Sequence, residues 1–130
     1  MTSATRCLLA AAFAAGLSLS AGAALAHADH GKPAHGGVVA EGGVFQGELV
    51  AKPDGAVTLH LSEHGAPIAA QGVNAKLTVL TGGRKVEAVF RPAGADRLEA
   101  TVPGLRPGAK AVAAVTLPDR RSATLRFALP

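Results

Sequence analysis

The chain has 130 residues, 48% of them apolar and 3% aromatic, with one cysteine and a formal net charge of +4. This length supports one small domain, and a single cysteine excludes an internal disulfide. The densest cationic stretch, PDRRSATLRF, has no aromatic side chains between its cations, which argues against nucleic-acid binding.

The first element along the chain is an uncharged, alanine-rich apolar run over residues 7–26. One cation, Arg6, precedes the run and the small-residue motif ALA at residues 24–26 ends it, as is typical of a cleavable export signal. The alternative is an uncleaved membrane anchor, because the run reaches the lower limit of the length of a membrane span. Its content of Ala, Gly and Ser and the lack of a following cationic cluster favour cleavage. We therefore predict a signal peptide over residues 1–26 and a periplasmic mature protein without stable membrane association, although cleavage after Ala28 also fits the pattern.

The next element, HADHGKPAHGG over residues 27–37, has no strand pattern and is predicted to be a flexible His-rich arm. It contains His27, His30 and His35 together with Asp29, and these are nitrogen and oxygen donors that suit Cu(II) or Zn(II). If His27 becomes the N-terminus, its α-amine and ring can chelate one metal together, whereas cleavage after residue 28 removes that chelate. The alternative is a solvated leader that binds nothing, because short His-rich tracts are compositional evidence. No methionine or cysteine remains after signal removal, so soft sulfur ligands are excluded.

Beyond residue 37 the apolar positions recur with a period of two in seven short runs that end at Gly-, Pro- or Asp-rich turns. The runs are VFQGELVA, AVTLHLS, AKLTVLT, KVEAVFRP, RLEATVP, KAVAAVTL and SATLRFAL. A single sheet of this size would leave one apolar face in water, so the pattern predicts an all-β, Ig-like sandwich of about seven short strands over residues 38–130. Its core should consist mostly of Val, Leu and Ala.

The run AVTLHLSEHGAP contains the two remaining histidines. Alternation directs Val57, Leu59 and Leu61 toward the core and His60 outward, while His64 follows in the turn. Both histidines are therefore candidate contributors to a metal site, and the alternative is that they are ordinary surface histidines.

The sequence does not predict an enzyme. Ser62, Glu63 and His64 are the residue types of a catalytic triad, but the side chains of immediate neighbours at a strand end diverge. The chain also lacks a glycine-rich phosphate loop between a strand and a helix.

Several of these stretches together carry a resemblance to a known family. PAHGGVV, GELVAKPDGAVTLHLSEHGAPI, KLTVL, RPAGADRLEA and ATLRFAL cover nearly all of residues 33–130. This pattern resembles small exported bacterial domains that occur alone or at the N-terminus of periplasmic adaptor subunits of heavy-metal efflux pumps of the resistance-nodulation-division type. The resemblance implies metal handling, with His35 carried over as a ligand and Glu48 as a structural or ligand partner. The chain has no helical hairpin, lipoyl-like domain or barrel, so it resembles the accessory module rather than the adaptor.

A second resemblance is to exported copper-resistance sandwiches, which begin with a histidine freed by signal cleavage. PDGAVTLHLSE is similar to their early strands, but those proteins carry a second His ligand near the C-terminus, and this chain has no histidine after His64. We expect a periplasmic metal-binding or metal-delivery accessory protein of heavy-metal efflux or resistance, with no organic cofactor and with an efflux adaptor or pump component as its partner. The alternative is a metal-free interaction module that docks on an efflux or envelope partner through its strand edges.

Overall fold

The computed structural model describes residues 31–130, which form ten β-strands and no helix. The strands are β1 (Val38–Glu41), β2 (Gln46–Ala51), β3 (Ala56–Glu63), β4 (Ala66–Pro67), β5 (Asn74–Thr81), β6 (Arg84–Val89), β7 (Arg91–Pro92), β8 (Arg97–Thr101), β9 (Lys110–Thr116) and β10 (Ser122–Ala128). Within these residues no helix is long and apolar enough to cross a membrane. The predicted signal peptide lies outside the described residues.

The strands pair into two antiparallel sheets. Sheet A has the order β1-β2-β3-β8-β7, with β4 paired to the end of β3, and sheet B has the order β10-β9-β5-β6. Buried side chains from both sheets form one hydrophobic cluster, so the two sheets pack face to face as a sandwich. The predicted all-β class is confirmed.

The core follows the alternation read from the sequence. In β3, the side chains of Val57, Leu59 and Leu61 are at most 3% exposed, and the residues between them are half-buried. Aliphatic side chains dominate the remainder of the core. The three phenylalanines of the described residues are also buried there, namely Phe45, Phe90 and Phe127.

The structure has three more strands than the seven predicted runs. Each run contains a strand, but the run at residues 85–92 is divided between β6 and β7, and β1 and β4 are additional. β4 forms because His64 and Gly65, with φ of 50° and 80°, make a two-residue turn that returns the chain onto β3. Positive φ at both central positions is the geometry of a type I′ hairpin turn. β1 pairs along its whole length with β2 and has no alternation of its own.

The strand register places three polar residues in one row across sheet A. In the centre of sheet A, Glu48 on β2 lies opposite His60 on β3, and His60 lies opposite Arg97 on β8. The neighbours of Glu48 along β2 include the buried Leu49, and those of His60 are buried leucines. Since successive side chains point to opposite faces, this row lies on the outer face of sheet A.

Candidate functional site

Glu48 is a buried carboxylate outside the hydrophobic core. Its side chain points away from the core, yet Glu48 is only 6% exposed. The chain that precedes β1 covers it, because three backbone N–H groups of residues 34–37 donate hydrogen bonds to its carboxylate. Its burial therefore comes from residues 34–37, which we call the covering segment.

The covering segment surrounds the carboxylate with donors. The N–H of Ala34 donates to Oε1 at 2.8 Å, and the N–H groups of His35 and Gly37 each donate to Oε2 at 2.8 Å. The N–H of His35 also lies 3.1 Å from Oε1, and the His35 ring adds a fifth contact, from Nδ1 to Oε1 at 3.1 Å. Hydrogen bonds to an ionised acceptor are roughly twice as strong as neutral ones. Residues 34–37, at the end of the predicted arm, are thus hydrogen-bonded to sheet A.

The same donors set the ionisation of Glu48. Burial raises the pKa of its carboxyl, but the backbone N–H groups of Gly37, Ala34 and His35 and the His35 side chain together outweigh burial and hold the pKa below its ordinary value. Glu48 is therefore ionised at neutral pH and acts as an acceptor only.

The two positions of the motif HGG that carry glycine require it for different structural reasons. Gly36 has φ of +77°, a conformation that L side chains rarely adopt. Gly37 passes so close to β2 that a Cβ on it would overlap the carbonyl oxygen of Leu49 and lie 2.9 Å from Cγ2 of Val50. The first glycine lets the segment turn, and the second lets its N–H reach Glu48.

The ring of His35 also lies on the ring of His60. The two ring centroids are 3.6 Å apart and the ring planes differ by 1°, so the imidazoles are stacked. Burial, and then the neighbouring His35, lower the pKa of His60, which favours its neutral form. Residues that lie far apart in sequence, on the covering segment and on β3, are thereby brought together.

The contact with Glu48 determines which nitrogen of His35 is available. Because an ionised carboxylate only accepts, Nδ1 of His35 must carry the proton in this hydrogen bond. In the neutral imidazole, Nε2 then has the free lone pair. A carboxylate that accepts from one ring nitrogen while the other binds a metal is a common arrangement in metalloproteins, where it orients the ring and increases its basicity. The His35 side chain is 48% exposed, so an ion can approach it.

The stacked geometry limits how His35 and His60 could share one metal. A metal binds imidazole in the ring plane at about 2.0–2.1 Å. An ion midway between two parallel rings 3.6 Å apart would lie about 1.8 Å out of each plane, far from both lone pairs. Sharing an ion therefore requires one ring to rotate. Consistently, residues 31–130 contain no group of three or more His, Cys, Asp or Glu side chains placed to hold a metal.

The predicted site residues have different outcomes. His35 and His60 lie together beside Glu48 in a cleft of about 270 Å³, whose lining includes Ser62 and Asp96. His64 is exposed in the β3–β4 turn and is not part of that lining. The remaining candidates, His27, Asp29 and His30, lie outside the described residues.

Sequence reasoning from the residues alone missed the central place of Glu48. Only the family resemblance points to Glu48, because its position in β2 has the parity of a solvent-facing residue. Asp96 was missed entirely, since an acid in a Gly- and Asp-containing loop has no distinguishing signal. The grouping of GG with a preceding His was the one local sign, because two consecutive glycines often mark an unusual backbone path.

Comparison of the chain with protein-family models, with curated proteins and with solved structures finds no significant match.

Proposed function

We propose that the protein is a periplasmic metal-binding or metal-delivery accessory protein, associated with efflux or resistance to copper- or zinc-type metals. The observation that supports this proposal is the hydrogen bond from Nδ1 of His35 to the buried carboxylate of Glu48. It leaves Nε2 of a half-exposed imidazole as the available ligand atom. His35 is the primary ligand, and Glu48 is a positioning residue.

The remaining ligands come from two sources. Rotation of the His60 ring out of the stack would bring a second imidazole to the same ion, and Asp96 lines the same cleft. His27, His30 and Asp29 precede the covering segment by a few residues and supply further donors of the same chemistry. Imidazole and amine nitrogens together favour Cu(II) over the other divalent first-row ions, with Zn(II) next.

Titration of the protein that begins at His27 with Cu(II) and, separately, Zn(II), followed by calorimetry, tests the proposal. Replacing His35 by Ala should weaken binding at least tenfold, which corresponds to about 1.4 kcal/mol. His60→Ala should weaken it less, and His64→Ala is the matched control that should leave affinity unchanged. An His35→Ala protein that binds both metals as tightly as the parent would refute the assignment, and a parent that binds neither would favour the metal-free interaction module.

A second readout separates ligation from folding. NMR signals of the His35 ring should broaden or shift on addition of metal, while amide signals of sheet B should not.

Glu48→Gln should lower metal affinity as well, because losing the partner that orients a ligand histidine commonly costs 10–100-fold. The variant His35→Gln should bind metal no better than His35→Ala does.

A further inference from the structure

The outer face of sheet B is basic. Its outward side chains include four cations and a single acid, Glu87. We call this surface the basic face, and its cations are Lys76, Lys85, Lys110 and Arg126. Alternating burial along each strand confirms that these side chains point away from the core.

The cations are not distributed evenly with respect to the acid. Nζ of Lys76 lies 3.2 Å and Nζ of Lys85 lies 3.5 Å from the carboxylate of Glu87, so one acid serves both. Lys110 and Arg126 have no acidic partner within residues 31–130. They lie diagonally on neighbouring strands, because Lys110 pairs with Ala128 and Arg126 pairs with Val112. The β9–β10 half of the face therefore carries two uncompensated positive charges.

Apolar side chains lie among these cations. Residues 31–130 contain three large apolar side chains that are strongly exposed, and two of them, Leu80 at 56% and Val89 at 65%, are on the basic face. Leu80 lies between Lys85 and Lys110 in the strand register. Leu80 is thus an exposed apolar side chain with a cation opposite it on each neighbouring strand, and it can add a small hydrophobic contact to an interaction made mainly by charge.

We propose that the basic face is a docking surface for an acidic protein surface that offers carboxylates around a small apolar contact. Charge complementarity supports this occupant, since opposite potentials attract and orient partners during encounter. A second copy of the chain is unfavourable, because two basic faces repel each other. An anionic membrane fits less well, because the face has no Trp or Tyr to anchor at a bilayer interface.

The dimensions of the face indicate a weak, exchangeable complex. Four strands about 4.8 Å apart and about seven residues long present roughly 450 Å² of flat surface. That is below the approximately 800 Å² per partner of a standard stable interface. The basic face lies on sheet B and the Glu48 site on the outer face of sheet A, so a docked partner would leave His35 accessible.

An NMR titration with a defined probe tests the docking surface. The probe is a synthetic peptide of about 15 residues with glutamates around a central Leu-Val-Leu, and its control has every Glu replaced by Gln. We expect amide shifts confined to β5, β6, β9 and β10, weakened by salt at about 0.5 M because the Debye length shortens. Binding of the neutral peptide with equal affinity would overturn the proposal, as would shifts spread over both sheets or no binding at all.

Charge-reversal variants locate the binding charges. The double variant Lys110→Glu with Arg126→Glu should weaken peptide binding at least tenfold, and Leu80→Ser should weaken it severalfold. The matched control, Lys52→Glu with Arg91→Glu, reverses two exposed cations outside sheet B and should change affinity less than twofold. Circular dichroism confirms that each variant is folded. Equal losses in the two double variants would show attraction to net charge alone and would overturn the proposal. So would tight binding to phosphatidylglycerol vesicles that depends on the basic face while the peptide fails to bind.

Discussion

Replacing Glu48 by Gln tests the role of the buried carboxylate most directly. Glutamine has nearly the same shape but no charge, and one of its two terminal atoms is a donor. Oε1 of Glu48 accepts from Ala34 and from the His35 ring, and Oε2 accepts from the N–H groups of His35 and Gly37. In either orientation of the amide, at least one backbone N–H therefore faces an NH₂ group and loses its acceptor.

The magnitude follows from these contacts. A hydrogen bond to a charged group contributes about 1.5–3 kcal/mol, and a neutral one about 0.5–1.5 kcal/mol. Losing one charged bond and converting two others to neutral bonds would cost more than about 3 kcal/mol if the segment stayed in place. The covering segment can detach and become hydrated, which limits the loss, so we expect the free energy of unfolding to fall by about 2–4 kcal/mol. This is a large share of the 5–15 kcal/mol that is typical of small domains.

Urea unfolding followed by far-UV circular dichroism measures this loss, because the chain has no Trp or Tyr for fluorescence. Amide hydrogen exchange adds a local readout, and the N–H groups of Ala34, His35 and Gly37 should exchange faster in the variant. Glu41→Gln, an exposed glutamate on β1, is the matched control and should stay within about 0.5 kcal/mol of the parent. If Glu48→Gln has the same urea midpoint of unfolding as the parent and these three amides remain protected, the carboxylate does not hold the segment in place. The reasoning would then be wrong.

Three further predictions concern pH, glycine and metal. Because the pKa of His60 is lower in the folded state, the unfolded chain binds the proton more readily, so stability should fall as the pH is lowered through about 6.5 and level off below the folded pKa. His60→Gln should remove this slope in urea unfolding at a series of pH values. Gly37→Ala should lower stability by about 1–3 kcal/mol through overlap with Leu49, whereas Gly94→Ala, which meets only the flexible side chain of Arg97, should have little effect. Chelator should leave the β-sheet dichroism unchanged, because the core forms without ligand side chains; loss of that signal would show that metal is part of the fold.

The all-β class was predictable because the alternation of apolar residues and the turn residues are local signals in the sequence. Alternation with a period of two assigned the faces of β3 correctly, and Gly-, Pro- and Asp-rich stretches marked the turns between the predicted runs. β1 was missed because VVAE has no alternation, and its pairing with β2 is the main evidence for it. Its half-buried residues look the same in sequence as a short apolar loop.

The Glu48 site was not predictable from local pattern, because it depends on non-local register. His60 was correctly placed on the outer face, but the sequence does not show that β2 and β3 pair with Glu48 opposite His60. The contact between His35 and His60 needs that register and also the turn at Gly36. Three separately ordinary residues become a site only when all of these conditions are met.

The covering segment gives a physical reason for the buried charge at position 48. An apolar side chain at position 48 would leave the N–H groups of Ala34, His35 and Gly37 without an acceptor, and a buried unsatisfied donor costs about 1–3 kcal/mol. The segment would then lack the hydrogen bonds that hold it over β2. A carboxylate with several acceptor positions instead requires one arrangement of backbone donors, and that arrangement fixes the position of the His35 ring. The buried charge thus sets the geometry of the imidazole that we propose as the metal ligand, and this is a more specific outcome than added stability.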